Sequence, residues 1–265
     1  MQNWKVTPAE VFAASPLVPV MVINDLEQAL PMAKALLDGG ISVFEITLRT
    51  PVALDAIALI AKAMPDAMVG AGTVLNCAQF DAAVAAGARF VISPGMTPAL
   101  LAHAAKSTAP LIPGVATPSE VMQALEAGYD HLKFFPAEAN GGTKALSAIA
   151  APLPQVKFCP TGGIGPKNVA DYLALKCVAT VGGSWMLPAD AVKTIFREVM
   201  SACLGLEHPQ RIAYLGPAGT FSESASRKQF GSAPGFLAMA TIEDVFRAVE
   251  ANNVDYGVVP VENST

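Results

Sequence analysis

The chain has 265 residues, 52% hydrophobic and 15% charged, which suits a compact globular protein with a large core. A net charge of −5 without a basic block argues against a nucleic-acid partner, and no uncharged apolar run reaches the roughly 18 residues of a membrane span. Cys77, Cys159, Cys177 and Cys203 are far apart and form no CxxC pair. That pattern fits reduced thiols in a cytoplasmic protein better than a disulfide framework or a zinc site. His103, His131 and His208 have no metal-ligand spacing, and the N-terminal stretch lacks the basic–apolar–small order of a secretory signal.

In chain order, Thr7-Pro8 opens a short amphipathic helix expected over 7–15, with proline in its first turn. Residues 17–23 form a continuous apolar, β-branched run, the pattern of a strand buried on both faces. Asp25 is placed to cap a helix through about Leu37, closed by Gly39-Gly40. The unit then recurs. Strand-like runs begin near Val18, Val43, Met68, Phe90, Pro110, His131, Val156 and Val178, with Ala- and Leu-rich helical segments between them. Such alternation implies a parallel sheet, and eight units predict a closed (β/α)8 TIM barrel. The competing arrangement, an open doubly wound sheet, lacks a glycine-rich dinucleotide fingerprint after the first strand.

In the second strand, Phe44, Ile46 and Leu48 share one face and Glu45, Thr47 and Arg49 the other. If every neighbour is parallel, the apolar face meets helices and the polar face lines the barrel. Charged groups placed there are costly unless paired or used. The sixth strand sets Lys133 inside an apolar run, with Lys133 and Phe135 facing one way and Leu132 and Phe134 the other. An amine drawn away from water is easier to hold neutral, and a neutral amine attacks carbonyl carbon to form a Schiff base. The plainer alternatives are a lysine that snorkels to water and a purely structural ion-pair cluster. Strands three to five end in GAGTV, SPGM and PGVATPSE; strand seven ends in Pro160–Gly163 and strand eight in Gly182–Trp185. The last two loops are where such barrels bind phosphate through backbone N–H groups. The chemistry expected is a lysine imine formed on an anionic carbonyl compound.

The stretches EITLRT, GAGTVLN, ISPG, KFFPAEANGG, FCPTGGI and GGSWMLPAD resemble the 2-keto-3-deoxy-6-phosphogluconate (4-hydroxy-2-oxoglutarate) aldolase family, over residues 1–190. The resemblance implies a class I aldolase without metal or cofactor, usually a homotrimer. Its substrate would be a phosphorylated 2-keto acid, cleaved to pyruvate and glyceraldehyde 3-phosphate. It also implies that Lys133 forms the imine and Glu45 is the general acid/base. Arg49 and Thr73 would hold the pyruvyl carboxylate, with Pro94 and Phe135 shaping the pocket. Thr161, Gly162, Gly163, Gly182, Gly183 and Ser184 would surround the phosphate.

Past Asp190 the text changes. RIAYLGPAGTFS and DYGVVPVENST resemble the dehydratase part of the bifunctional chorismate mutase–prephenate dehydratase family, and residues 195–206 the end of its mutase helical region. The expected organisation is a barrel over 1–191, an amphipathic helix and linker over 192–207, and an appended α/β fragment over 208–265. In that fragment RIAYLG and DYGVVPVEN read as strands, and PAGTFSESASRKQF and 242–252 as helical. Ser and Thr of GTFSES could meet a carboxylate or simply cap a helix. The alternatives to an aldolase are a non-catalytic scaffold and a prephenate-binding module.

Overall fold

The computed structural model describes residues 3–186, 210–232 and 234–261, so the helix expected over 192–206 lies outside the described residues. The chain divides into two compact units, Met1–Lys193 and Thr194–Thr265.

The first unit alternates strands and helices. Its strands are β1 (Leu17–Met21), β2 (Val43–Thr47), β3 (Met68–Gly72), β4 (Phe90–Ile92), β5 (Leu111–Ile112), β6 (Gly114–Val115), β7 (His131–Phe134), β8 (Lys157–Pro160) and β9 (Val181–Gly183). Its helices are α1 (Pro8–Ala13), α2 (Ala29–Asp38), α3 (Ala53–Ala63), α4 (Cys77–Ala85), α5 (Pro98–Ala104), α6 (Pro118–Glu126), α7 (Gly142–Ala150) and α8 (Val169–Leu173). Three helices begin at a Thr-Pro pair: Thr7, Thr97 and Thr117 each accept a backbone N–H, and Pro8, Pro98 and Pro118 follow. Proline's fixed φ suits the first turn, where its missing N–H would have no helical partner. Glu10 and Glu120 reach back to complete capping boxes.

Among the described residues of this unit, all strand pairings are parallel. One sheet has the order β5-β4-β3-β2-β1-β9 and the other β6-β7-β8. All five residues of β1 and of β2 are buried, as strands covered on both faces require. The fifth strand departs from expectation by splitting. Pro113 has no N–H to continue a ladder, so Leu111-Ile112 pair with β4 and Gly114-Val115 with β7. The Pro113 carbonyl still accepts from Lys133 N at 2.9 Å. The eighth run also starts later than expected. Phe158 N donates to the Cys177 carbonyl and Ala179 N to the Phe158 carbonyl, an isolated bridge, and the strand proper forms once Val181 N reaches the Pro16 carbonyl at 3.0 Å. Thr161 and Gly182 form a further parallel bridge between the two sheets. Asp25 caps a 3-10 turn, Leu26–Gln28, before α2 rather than capping α2 itself.

Beneath the site, Val18, Val43, Phe90, Ile92, Ile112 and Cys159 pack in one cluster with Val11 and Phe12 of α1. Phe12 also meets the His131 ring edge-on at 5.3 Å between centroids. The short first helix thus stoppers the N-terminal ends of the strands and leaves the C-terminal ends for chemistry.

The second unit has β10 (Arg211–Leu215), α9 (Phe221–Phe230), β11 (Gly235–Met239), α10 (Ile242–Glu250) and β12 (Tyr256–Val258). Its sheet is parallel, in the order β11-β10-β12. Ala213, Val245, Ala248 and Val254 form a small core. The expected strand in DYGVVPVEN is shorter than its motif, and β11 was not anticipated: GFLAM follows Gly and Pro and does not alternate cleanly.

Candidate active site

The polar face of β2 and the lysine of β7 come together. Lys133 Nζ donates to Glu45 Oε1 at 3.3 Å, and their side chains are only 5% and 2% exposed. Lys133 does not snorkel. Its ammonium position lies 5.3 Å from the centroid of the Phe135 ring, while Leu132 and Phe134 are fully buried, as the two-residue period of a strand requires. Thr47, on the Glu45 face, is also buried and donates to the Met21 carbonyl at 3.1 Å, tying β2 to β1 just past the carboxylate.

Arg49 departs from its expected position. β2 ends at Thr47, so Arg49 stands on the loop beyond it and is exposed, not enclosed by the strands. Its Nε donates to Thr73 Oγ1 at 3.0 Å. Thr73 follows β3 with φ of 57°, in a left-handed conformation unusual for a β-branched residue. The guanidinium therefore marks the mouth of the site and the amine–carboxylate pair its floor.

Pro94 follows β4, half-buried, and its carbonyl lies against Gly114, where any Cβ would overlap it. Thr161 is buried after β8; Gly182 leaves room for its hydroxyl, which a side chain at 182 would displace. Gly162 and Gly163 have φ of 104° and 77°. A Cβ at Gly162 would lie 3.4 Å from the Phe135 ring, so the glycine turn adjoins the lysine's neighbour. Gly183 packs against the Trp185 indole, with Nε1 2.5 Å from where a Cβ would stand. Ser184 is exposed just beyond β9.

Cys159, Tyr172 and Gly72, none of them among the expected site residues, also border the site. Cys159 lies opposite Lys133 in the β7–β8 register; burial pushes its thiol up to about 12. The Tyr172 hydroxyl donates to Glu138, whose side chain fills the space that glycine leaves at 163. Burial first, then that hydrogen bond, raises the Tyr172 phenol. Gly72, at the end of β3, borders the Glu45 carboxylate. Strand register sets Cys159 beside Lys133, but no sequence pattern points to Tyr172.

Among known proteins, residues 9–201 match the family described as KDPG and KHG aldolase, and residues 212–265 match prephenate dehydratase. A 2-dehydro-3-deoxy-phosphogluconate aldolase of Dickeya dadantii is 58% identical over 194 residues, covering 73% of this chain and 91% of the relative. The KHG/KDPG aldolase of Escherichia coli K12 is 57% identical over 193 residues, with the same coverage of 73% and 91%. A solved KDPG aldolase from Legionella pneumophila, with pyruvate captured as a covalent carbinolamine, is 55% identical at a TM-score of 0.69. That match covers 77% of this chain and 97% of the other. A buried lysine paired with a carboxylate between parallel strands, on a TIM-like α/β fold, accords with these likenesses, and the chain belongs to the KDPG and KHG aldolase family.

Proposed function

We infer that the first unit is a class I aldolase that cleaves 2-keto-3-deoxy-6-phosphogluconate to pyruvate and glyceraldehyde 3-phosphate, and 4-hydroxy-2-oxoglutarate to pyruvate and glyoxylate. The observation that carries this reading is Lys133 Nζ, buried and 3.3 Å from Glu45 Oε1. The Lys133 amine, once it has given up its proton, attacks the C2 carbonyl to give a carbinolamine. Loss of water leaves a cationic imine, an electron sink. Glu45 takes the C4 hydroxyl proton, the C3–C4 bond breaks, and its electrons pass into the imine as an enamine. Protonation at C3 and hydrolysis then release pyruvate and restore the amine. Phe135 excludes water beside the nitrogen. Arg49, oriented by Thr73, takes the carboxylate at the mouth. The turns at Thr161–Gly163 and Gly182–Ser184 take the phosphate through backbone N–H groups and the Ser184 hydroxyl.

We read the two sheets as one closed eight-unit barrel, supported by Pro113 passing between them and by the Thr161–Gly182 bridge. We also assign the barrel to 1–191, a connector to 192–207 and a dehydratase-like fragment to 208–265. A cytoplasmic homotrimer accords with the family resemblance and with the free thiols of Cys77, Cys159 and Cys177. The test of the chemistry is borohydride reduction in the presence of pyruvate, followed by peptide mapping. One pyruvyl mass on the peptide holding Lys133 is expected, with cleavage unimpaired by EDTA. A label on Lys144 or Lys157 instead would overturn the assignment.

A further inference from the structure

Two of the five residues of β3 are glycines, Gly70 and Gly72. Neither lies in the left-handed region, so the backbone does not require glycine at either place. Each leaves room for a neighbouring strand's side chain. A Cβ on Gly70 would overlap the ring of Phe90, and a Cβ on Gly72 would overlap the carboxylate and Cγ of Glu45.

We propose that Gly72 is a positioning residue for the cleavage reaction: the side chain it lacks is the space in which the Glu45 carboxylate stands beside Lys133. The inference rests on the reading of Glu45 as the general acid/base. The obstructed atoms run from Cγ to Oε1 of the Glu45 side chain and include no backbone, so a methyl at 72 leaves the strand in place and drives the Glu45 side chain into another rotamer. Glu45 is 1% exposed, with Thr47 at 0% on the same strand face. The displaced carboxylate therefore has no open solvent to enter and gives up its 3.3 Å contact with Lys133. The nucleophile stays; the group that moves protons loses its place.

The test compares the full-length Gly72→Ala enzyme with the parent. We expect kcat for cleavage to fall about 100-fold, within the range a general acid/base supplies, with KM changed less than about threefold. Exchange of pyruvate methyl protons with deuterated water falls in parallel, while borohydride still traps pyruvate on Lys133. A merely structural role would not separate trapping from exchange. In a Glu45→Ala background, which has neither the Cγ nor the carboxylate that the methyl would meet, Gly72→Ala is expected to cost less than about threefold further, a coupling that a double-mutant cycle reads directly. Wild-type turnover by Gly72→Ala, or losses that multiply in the double variant, would overturn the inference. Should Gly72→Ala alone misfold, recovery of the fold by Glu45→Ala supports it; misfolding of both overturns it, since backbone would then be what resists the methyl. A fully active Glu45→Gln enzyme would instead sink the underlying role of Glu45.

Discussion

Replacing Lys133 by methionine tests the energetics of the site apart from its chemistry. Methionine keeps an unbranched apolar stem that still reaches the Phe135 ring, so little packing is lost. What is lost is the charge facing Glu45, whose side chain is 2% exposed. Leaving one partner of a buried ion pair alone costs about 3–5 kcal/mol. With a urea slope of about 2 kcal/mol per molar, that moves the unfolding midpoint down by roughly 2 M. Adding Glu45→Gln removes the stranded charge, and the double variant is expected to regain most of the loss, as neutral replacements of buried pairs commonly do. Tryptophan fluorescence is the right readout, because both tryptophans, Trp4 and Trp185, belong to the first unit. Trp4 is anchored there by its indole N–H on the Ala104 carbonyl at 3.2 Å. Cleavage activity should vanish in both variants. A single variant within about 1 kcal/mol of the parent would refute the reasoning, because the carboxylate would then be solvated or turned from the lysine.

Further outcomes are open to direct measurement. Thr73→Val keeps the shape but removes the acceptor of Arg49 Nε; KM for 2-keto acids should rise about tenfold with kcat kept, the size of one lost charge-assisted hydrogen bond. Burial holds the Cys159 thiol and the Tyr129 phenol protonated up to about 12 in the folded chain, against 9.0 and 10.0 otherwise. The unfolded state therefore releases those protons first, and Tm should be level below pH 9 and fall as pH rises from there toward 12; Tyr129→Phe should flatten the decline above pH 10. A chain ending at Glu207 should keep the aldolase rate, and neither it nor the full chain should dehydrate prephenate; loss of aldolase turnover on this truncation would mean that 208–265 serve the site.

Much of the first unit was legible because its strands are buried on both faces, so that apolar runs alone mark them. Glu45 and Lys133 stood out by the same logic, as charges where that pattern allows none. The misses have local causes. Pro113 divides a strand through a missing N–H, an effect that the run of apolar residues around it conceals. Arg49 continues the two-residue alternation of β2 in the sequence, yet the strand ends at Thr47, and alternation cannot announce where pairing stops. Gly163 and Gly183 illustrate a different limit. Both read as space for phosphate, but the structure fills the space at 163 with Glu138 and at 183 with the Trp185 indole. Valine at either place would disturb packing as well as any anion, so Ser184, exposed beside them, is the cleaner probe of phosphate recognition.

The second unit shows why a matched stretch of sequence need not carry the matched activity. Its central strand is well built: Ile212, Ala213 and Tyr214 are buried, as expected with a neighbour on each side and helices above. The flanking strands are not. β11 is exposed or half-buried along its whole length, and Tyr256 and Gly257 of β12 are exposed. Phe221 and Phe246 are 96% and 57% exposed. Thr220 caps α9, and Glu223 takes the Gly219 N–H, so the glycine-rich turn that could meet an anion already holds a carboxylate of its own. That contact, with the Arg227 ion pair, holds the Glu223 carboxyl below its ordinary value. An incoming anion would have to displace a side chain that is already satisfied. The Lys133–Glu45 pair differs in kind: an amine and a carboxylate are enclosed together, and on that contrast we assign the chemistry to the first unit.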